Sequence, residues 1–236
     1  MNIALIIAGG NGARMNQDIP KQFLNVNDKP VIVYTLEAFQ RHEEIDAIAV
    51  VCIEGWDKVV EAYAKQFGIS KLRFIVNGGE CGQASIRNGL YKLEQEYNSE
   101  DLVLIHDAIR PLVSEKIISD CIAKAKKYGS AIAAIPCAEA MLETENQISS
   151  QRSYPREQLK RTQTPQAFSL GKICDIHRKA LEKGITQSVA SCTLMIEMGE
   201  EVYFSLGSEK NIKLTTVEDI DIFKALLQAR TAEWLK

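Results

Sequence analysis

An apolar segment near the start of the chain runs directly into a cluster of glycines and cations. Residues 5–15 read Leu-Ile-Ile-Ala-Gly-Gly-Asn-Gly-Ala-Arg-Met, and Pro20-Lys21-Gln22 follows. Glycines at the exit of a strand let backbone N–H groups approach an anion closely, because no Cβ intervenes. Arg14 and Lys21 add the positive charge that a polyphosphate needs. The pattern indicates a nucleoside triphosphate site, and the alternative for the glycines alone is a tight turn between a strand and a helix.

Neither of the two common glycine-rich nucleotide motifs fits this loop. A P-loop requires Gly-x4-Gly-Lys-Ser/Thr, whereas Lys21 lies far from Gly12 and no hydroxyl residue follows it. A dinucleotide-binding loop requires G-x-G-x-x-G, and Met15 stands where the third glycine belongs. A nucleotide site here must therefore be of another type.

A carboxylate and an arginine end a second apolar segment, which reads Leu-Ile-His-Asp-Ala-Ile-Arg-Pro over 104–111. Asp107 has no packing role at the carboxyl end of a strand and is well placed to hold Mg²⁺ between nucleotide phosphates. Arg110 can orient that carboxylate or bind a second phosphate, and a purely structural pair of the two is the alternative. His106 faces the other side of the strand by alternation, which favours a structural role.

Two further segments carry candidate ligands. Residues 76–80, Val-Asn-Gly-Gly-Glu, form a second glycine turn, and Ser85 opens the helical segment that follows. Alone this turn reads as an ordinary connection, but two such turns on one sheet edge can hold a base and phosphates. Thr216 is a natural N-cap for the last helix, with Asp219 at the third helical position. Lys213 has no capping role, and it can reach the phosphates from the far side of the cleft.

Alternating strand and helix patterns define the scaffold that must position these residues. Apolar, β-branched runs occur at 2–7, 45–52, 72–76, 102–105, 131–135 and 201–206. Segments with helical periodicity lie at 31–39, 56–67, 84–96, 115–128, 172–183, 188–198 and 217–229. Such alternation predicts an α/β fold with a mainly parallel sheet covered on both faces. Ligands of these sheets bind beyond the carboxyl ends of the strands, where the candidate residues fall.

The polar segment 136–166 interrupts this alternation. It contains prolines at 136, 155 and 165 and has no clear core pattern. About thirty residues is long for a loop in a compact domain. The segment is therefore predicted to form an extended arm or hairpin, which serves as a lid or packs on another subunit.

Composition limits the classes of protein that fit. The chain has 236 residues, 46% hydrophobic and 25% charged, which suits one large domain over 1–236, or one domain with an appendage. A net charge of −3 argues against a nucleic-acid-binding face, and no apolar run approaches a membrane span. The six cysteines are scattered without C-x-x-C pairs, which predicts reduced thiols, no zinc site and a cytoplasmic location.

Combined, the motifs resemble those of a known enzyme family along essentially the whole chain. The matching segments, in family order, are Ala8-Gly9-Gly10-x-Gly12-x-Arg14-Met15, Pro20-Lys21-Gln22-Phe23, Gly78-Gly79 with Ser85, His106-Asp107-Ala108-x-Arg110-Pro111, Gln163-Thr164-Pro165-Gln166-x-Phe168 and Asn211-Ile212-Lys213-x-Thr215-Thr216. The chain resembles the cytidylyltransferases that act on 2-C-methyl-D-erythritol 4-phosphate and on ribitol 5-phosphate. The resemblance implies a Rossmann-like nucleotidyltransferase fold, use of CTP and Mg²⁺, and a homodimer formed through the protruding arm.

The resemblance also implies roles for individual residues. Those implied to bind the triphosphate and stabilise the transition state are Arg14, Lys21 and Lys213. The implied CTP-binding residues are Ala8, Gly9, Gly10, Gly12, Gly79, Glu80 and Ser85, the last three contacting cytosine. Asp107 would bind the metal. The implied acceptor-binding residues are Arg110, Arg156 and Thr186, with Arg156 reaching across the dimer from the arm.

The departures from the family pattern fall mainly in the acceptor half. The family usually has Asp-Thr where this chain has Glu139-Ala140, and Thr-Asp with a small or acidic residue where it has Thr186-Gln187-Ser188. An arginine common after the second glycine turn is Gly82 here. The features closer to the ribitol branch than to the isoprenoid branch are Ile109, Trp56 and the turn Asp28-Lys29-Pro30. The acceptor is therefore left open between ribitol 5-phosphate and 2-C-methyl-D-erythritol 4-phosphate.

Two other functions remain as alternatives. One is a CTP-binding module of the same fold without transferase activity, suggested by the altered acceptor residues. The other is a dinucleotide-dependent oxidoreductase, which the missing third glycine disfavours.

Overall fold

The computed structural model describes residues 1–10 and 19–231. Its strands are β1 (Asn2–Ala8), β2 (Asn25–Val26), β3 (Lys29–Pro30), β4 (Ala47–Cys52), β5 (Leu72–Asn77), β6 (Leu102–Asp107), β7 (Ser130–Pro136), β8 (Met141–Glu143), β9 (Arg152–Tyr154), β10 (Lys160–Ser169) and β11 (Phe204–Leu206). Its α-helices are α1 (Val31–Arg41), α2 (Asp57–Gln66), α3 (Gly82–Glu94), α4 (Glu115–Tyr128), α5 (Leu170–Glu182), α6 (Ser191–Glu197) and α7 (Val217–Thr231). Short 3-10 helices span Lys21–Phe23 and Arg156–Gln158.

A seven-stranded sheet, in the order β11-β7-β10-β6-β1-β4-β5, organises the described residues. Strand β1 lies in the interior of the sheet and pairs in parallel with both β4 and β6. Strand β10 runs antiparallel to its neighbours β6 and β7. The mainly parallel α/β sheet predicted from the alternation is thus confirmed, with one reversed strand that was not predicted.

Strand β1 shows why the sheet needs helices on both faces. Ala4 and Ile6 pack into the core on one face, with α1 and α4, while Ile3 and Leu5 pack into the core on the other. All four side chains are fully buried. A strand covered on both sides reads as a continuous apolar run rather than an alternating one, as residues 2–7 do.

The predicted limits of the polar segment 136–166 need correction at both ends. Pro136 is the last residue of β7, and residues 160–166 belong to β10, so the part outside the main sheet is 137–159. Strand β10 was missed because its first half is polar and Pro165 follows directly. The register with β7 shifts between Thr162 and Gln166, and such an irregularity accommodates a proline that cannot donate to the ladder.

Residues 137–159 form a hairpin in which β8 pairs with β9 in antiparallel orientation. Several of its apolar side chains face solvent, and Ile148 is 91% exposed. The other exposed large side chains of the hairpin are Met141, Leu142 and Tyr154. This arm is the feature on which the prediction of a homodimer rests, and that prediction stays untested.

One buried histidine makes the stability of the fold dependent on pH. His177 lies on α5, which packs against α3, and neither of its ring nitrogens has a hydrogen-bond partner among the described residues. Burial, and to a smaller extent the charge of Arg87, lowers the pKa of His177 to about 4. Between pH 6.5 and 4 the unfolded chain therefore binds a proton that the folded chain excludes, so the free energy of unfolding falls as the pH falls.

We expect His177→Leu to remove this contribution. At pH 5 the proton that His177 binds only in the unfolded chain lowers the free energy of unfolding by about 2 kcal/mol. This loss disappears above the unfolded-state pKa of 6.5. Urea unfolding of the wild type and the variant at pH 7.5 and pH 5 gives the difference directly. An equal fall in the free energy of unfolding of both proteins between these two pH values would show that folding does not lower the pKa of His177.

Candidate active site

The carboxyl ends of β1, β5 and β6 open into one cavity of about 500 Å³. Its lining comes from both glycine turns, from the 3-10 helix at Lys21–Phe23, from the end of β6 and from the segment before α7. The lining residues are Ile7, Ala8, Gly9, Gly10, Lys21, Gln22, Gly79, Glu80, Cys81, Gly82, Ser85, Asp107, Ile109 and Lys213. Segments far apart in the sequence therefore meet at the sheet edge where α/β proteins bind ligands.

The two glycine turns touch each other at the floor of the cavity. A Cβ on Gly9 would lie 3.1 Å from Ser85 Oγ, which leaves little room for a side chain, and 3.6 Å from Gly78 Cα, which is van der Waals contact with the second turn. The N–H of Gly79 donates to Ser85 Oγ at 2.9 Å, which ties the second turn to α3. The two turns form one continuous backbone surface rather than two separate connections.

Lys21 is held at the cavity by the two residues that follow it. The side chain of Gln22 is buried, and its Nε2 donates to the carbonyls of Ala8 at 2.7 Å and Gly10 at 3.1 Å. The ring of Phe23 stacks on Trp56, with centroids 4.3 Å apart and planes 11° from parallel. One contact fixes the 3-10 helix to the glycine loop, and the other fixes it to the hydrophobic core.

Asp107 lies between two cations at the end of β6. Lys213 Nζ is 3.1 Å from its carboxylate, and Arg110 Nε is 3.1 Å from its Oδ2. Burial alone would raise the pKa of Asp107, but the charges of Lys213 and Arg110 outweigh it and hold the pKa below its usual value. The carboxylate is therefore ionised at neutral pH.

The histidine beside this carboxylate is structural, as alternation along the strand indicated. His106 is fully buried, and burial is the main reason that its pKa falls to about 4. Its Nε2 lies 3.2 Å from the Arg110 carbonyl, and its Nδ1 lies 3.0 Å from Thr164 Oγ1. With Nε2 protonated and Nδ1 accepting, the neutral ring satisfies both contacts.

The acceptor-binding residues implied by the resemblance do not line this cavity. Arg110 lies beside Asp107, and its Nη1 donates to the carbonyl of Asn211 at 2.7 Å. Arg156 lies on the arm, where it contacts the Ala138 carbonyl and is exposed. Thr186 lies in an exposed turn that borders a separate open cavity.

The turn around Thr186 is nevertheless fastened to the start of α3, next to the second glycine turn. Gln83 Nε2 donates to the carbonyl of Ile185 at 2.8 Å, and its Oε1 accepts from the N–H of Ser188 at 2.7 Å. The thiol of Cys81 contacts the carbonyl of Thr186 at 3.3 Å. The two remaining predicted site residues, Gly12 and Arg14, lie outside the described residues.

Several residues that shape the site received no role from the sequence. They are Gln22, Gln163, Thr164 and Asn211, whose side chains, all buried except the half-buried Thr164, bond to backbone groups of neighbouring segments. All four stand within short motifs next to Lys21, Lys213 or the strand beside Asp107. Their position in those motifs was the available signal.

In the part of the chain that the structure describes, no group of three or more His, Cys, Asp or Glu side chains could hold a metal ion by itself. Within the same residues, no helix has the length and apolar character needed to cross a bilayer. The cysteines at 52, 81, 121, 137, 174 and 192 are all free thiols.

An α/β sheet with two glycine turns, two lysines and a carboxylate lining one cavity at the carboxyl ends of its strands is typical of nucleotidyltransferases. The solved structure of 4-diphosphocytidyl-2C-methyl-D-erythritol synthase from Anaerococcus prevotii superposes with a TM-score of 0.82 at 26% identity, covering 96% of each chain. The corresponding enzyme of Francisella tularensis gives a TM-score of 0.79 at 26% identity, covering 95% of this chain and 98% of that one.

The family model described as IspD, 2-C-methyl-D-erythritol 4-phosphate cytidylyltransferase, matches residues 2–229. The chain belongs to this family of cytidylyltransferases, which confirms the resemblance read from the motifs.

Curated relatives of both branches align over nearly the whole chain. A ribitol-5-phosphate cytidylyltransferase of Lacticaseibacillus paracasei is 41% identical, over 98% of this chain and 99% of the relative. A ribitol-5-phosphate cytidylyltransferase of Vibrio parahaemolyticus is 42% identical, over 98% of this chain and 97% of the relative. A 2-C-methyl-D-erythritol 4-phosphate cytidylyltransferase of Clostridium botulinum is 38% identical, over 98% of this chain and 99% of the relative.

Proposed function

We propose that this chain transfers CMP from CTP to a polyol phosphate and releases pyrophosphate, with ribitol 5-phosphate as the acceptor. The observation that carries the proposal is the convergence of Lys21, Asp107 and Lys213 on the cavity floored by the two glycine turns. Membership of the cytidylyltransferase family supports the use of CTP as the donor of CMP. The choice of ribitol 5-phosphate is supported by the 41% and 42% identity to relatives named for it.

The reaction needs charge neutralisation more than proton transfer. An oxygen of the acceptor's phosphate attacks the α-phosphorus of CTP, a new P–O bond forms, and the bond to the β-phosphate breaks as pyrophosphate leaves. A phosphate monoester is largely anionic at pH 7, so no general base is required. His106, neutral and engaged at both nitrogens, is not available as one. Lys21 and Lys213 would bind the phosphates and stabilise the developing charge, and Arg14 is proposed to join them.

The donor set suits Mg²⁺. Magnesium in phosphoryl-transfer sites is held by one or two carboxylates together with substrate phosphates and water. Asp107 supplies an ionised carboxylate in the cavity, and the absence of a closed metal cluster among the described residues is compatible with this arrangement. When bound, the ion would neutralise phosphate charge.

An acceptor panel tests the proposed function. Pyrophosphate release is measured with CTP and Mg²⁺ and, in separate reactions, ribitol 5-phosphate, 2-C-methyl-D-erythritol 4-phosphate and related polyol phosphates. We expect the highest kcat/KM with ribitol 5-phosphate. Preference for the methylerythritol acceptor would move the chain to the other branch. CTP binding without release on any acceptor would favour the binding module that lacks transferase activity.

The second glycine turn is proposed to contact cytosine through Gly79, Glu80 and Ser85. A Cβ on Gly79 would lie 2.6 Å from Ala84 Cβ and 2.9 Å from the Ala84 carbonyl carbon, so Gly79→Ala must displace the turn. Overpacking of this kind costs about 1–3 kcal/mol, and we expect CTP affinity, measured by calorimetry, to fall by about tenfold.

Gly89→Ala is the matched control for this substitution. Gly89 lies on α3, and its Cβ would meet Val51 Cγ2 at 2.6 Å and Leu5 Cδ1 at 2.7 Å, so the clash is as close but is made with side chains of the hydrophobic core. It should lower the melting temperature while leaving CTP affinity unchanged. Equal CTP affinity in the Gly79→Ala variant and the wild type would remove this turn from the nucleotide site.

The acceptor half and the assembly are proposed together. Arg110, Arg156 and Thr186 would bind the acceptor, with Arg156 supplied by the arm of a second copy in a homodimer. The exposed apolar side chains of the arm support this assembly, because a hairpin gains little by leaving them in water. Sedimentation equilibrium that returns the mass of a single chain would contradict it. Six free thiols support a reducing, cytoplasmic location.

A further inference from the structure

The segment that carries Lys213 has no regular secondary structure of its own, yet it lies firmly against the sheet. Asn211, two residues before Lys213, is fully buried, and Gln163 of β10 is 7% exposed. Asn211 Nδ2 donates to Gln163 Oε1 at 3.2 Å and to the Thr164 carbonyl at 2.9 Å. These contacts join positions 48 and 47 residues apart in the sequence.

The side chain of Gln163 holds the same segment at a second point. Its Nε2 donates to the carbonyl of Ser208 at 2.9 Å, and its Oε1 accepts from the N–H of Ser208 at 3.1 Å. Gly207 allows this close approach, because a Cβ there would lie 2.7 Å from the Ala134 carbonyl oxygen and 2.8 Å from Gln163 Oε1. The amide of Gln163 thus bonds to both the N–H and the carbonyl of Ser208, as the backbone of a neighbouring strand would.

Asn211 is also connected, through its backbone carbonyl and through Thr164, to Asp107, the residue that Lys213 contacts. The Asn211 carbonyl accepts from Arg110 Nη1 at 2.7 Å, and Arg110 Nε bonds to Asp107. On the other side, Thr164 Oγ1 accepts from the N–H of Asp107 at 3.0 Å. Asn211 therefore links the backbone before Lys213 to both neighbours of Asp107.

We infer that Asn211 and Gln163 are positioning residues that set where the Lys213 ammonium lies relative to Asp107 and the triphosphate. Neither side chain lines the cavity, so they act through Lys213 and not by touching the nucleotide. The inference deepens the proposed function and rests on it, because Lys213 is the group through which the effect reaches CTP. A displacement of about 1 Å at a positioned group can cost on the order of 10²-fold in rate.

A double-mutant cycle with Lys213→Ala tests the inference. We expect Asn211→Ala to lower kcat/KM by at least about tenfold in the wild-type background, mainly through kcat, and by less than about twofold once Lys213 is absent. A loss of equal size in both backgrounds would mean that Asn211 only supports the fold, and no loss in the wild-type background would also overturn the inference.

A second variant and a control keep the test decisive if Asn211→Ala does not fold. Gln163→Met keeps the approximate length of the side chain, removes the amide and enters the same cycle with the same expectation. His42→Ala is the control, because His42 is also buried and hydrogen-bonded, to Ser119, but lies at the end of α1 away from the cavity. It should change the melting temperature and leave kcat/KM unchanged.

The cycle is repeated on CTP affinity by calorimetry, which separates the two possible failures. If no acceptor supports turnover but CTP binds, the proposed transfer fails. The inference is then supported by an affinity loss of about tenfold that disappears with Lys213→Ala, and is overturned by a loss that persists. If CTP does not bind the wild-type chain, both the proposed function and the inference are wrong.

Discussion

Lys21→Ala is expected to lower kcat by about 10²–10³-fold, equivalent to about 2.7–4 kcal/mol of transition-state stabilisation, the range seen when one pre-organised donor is removed. The lysine lines the cavity from a 3-10 helix that is fixed on one side by Gln22 and on the other by the stack of Phe23 on Trp56. Because the charge is held in place before substrate arrives, no energy is spent on reorganising it during the reaction. Steady-state pyrophosphate release at saturating CTP measures the effect.

The control for this variant is Lys58→Ala on α2, an exposed lysine outside the cavity. It should behave as the wild type in both kcat and KM. Turnover of the Lys21→Ala variant within a few-fold of the wild type would remove Lys21 from the transition state.

Asp107→Asn is expected to lower kcat/KM by at least about 10²-fold and to raise the Mg²⁺ concentration needed for half-maximal activity. The substitution keeps the shape of the side chain but removes the charge that offsets Lys213 and Arg110. It also removes the proposed anionic ligand of the metal, whose contribution to phosphoryl transfer is several kcal/mol, at about 1.4 kcal/mol per tenfold in rate. A titration of activity against Mg²⁺ separates the metal effect from the loss of the ion pairs.

Asp120→Asn provides a matched comparison. Like Asp107, Asp120 pairs with a lysine, here Lys124 on its own helix, and its carboxylate accepts from the N–H of Leu206, but it lies on α4 away from the cavity. Its Mg²⁺ titration should coincide with that of the wild type. If the Asp107→Asn titration coincides as well, the metal is held elsewhere.

The sequence predicted the parts of the fold in which local pattern and tertiary role agree. The core strand 2–7 is apolar throughout because both of its faces are covered, and helix α4 is bounded by an N-cap at Ser114 and a left-handed glycine at 129. Strand β10 could not be found in this way. Its first half is polar, and its strand conformation comes from pairing with β6 and β7 rather than from its own residues.

The residues of the candidate site likewise fall into some that the sequence could predict and some that it could not. Lys21, Asp107 and Lys213 could be singled out because a charged residue beside a glycine turn or at a strand end has no packing role. Gln163 and Asn211 could not be given a role, because their hydrogen-bond partners lie about 50 residues away in the sequence. Buried amides of this kind are interpretable only when their hydrogen-bond partners are known.

The reversed direction of β10 has a consequence for how the arm can be exchanged. Strand β7 ends and β10 begins at the same edge of the sheet, with Lys160 opposite Pro136, so the arm leaves and re-enters through adjacent, paired positions. A segment with such closely spaced ends can be lengthened or replaced at small entropic cost. The arm of a relative could therefore be grafted between residues 136 and 160 as a cassette. The sheet register that supports the cavity floor would be kept in the resulting chimera.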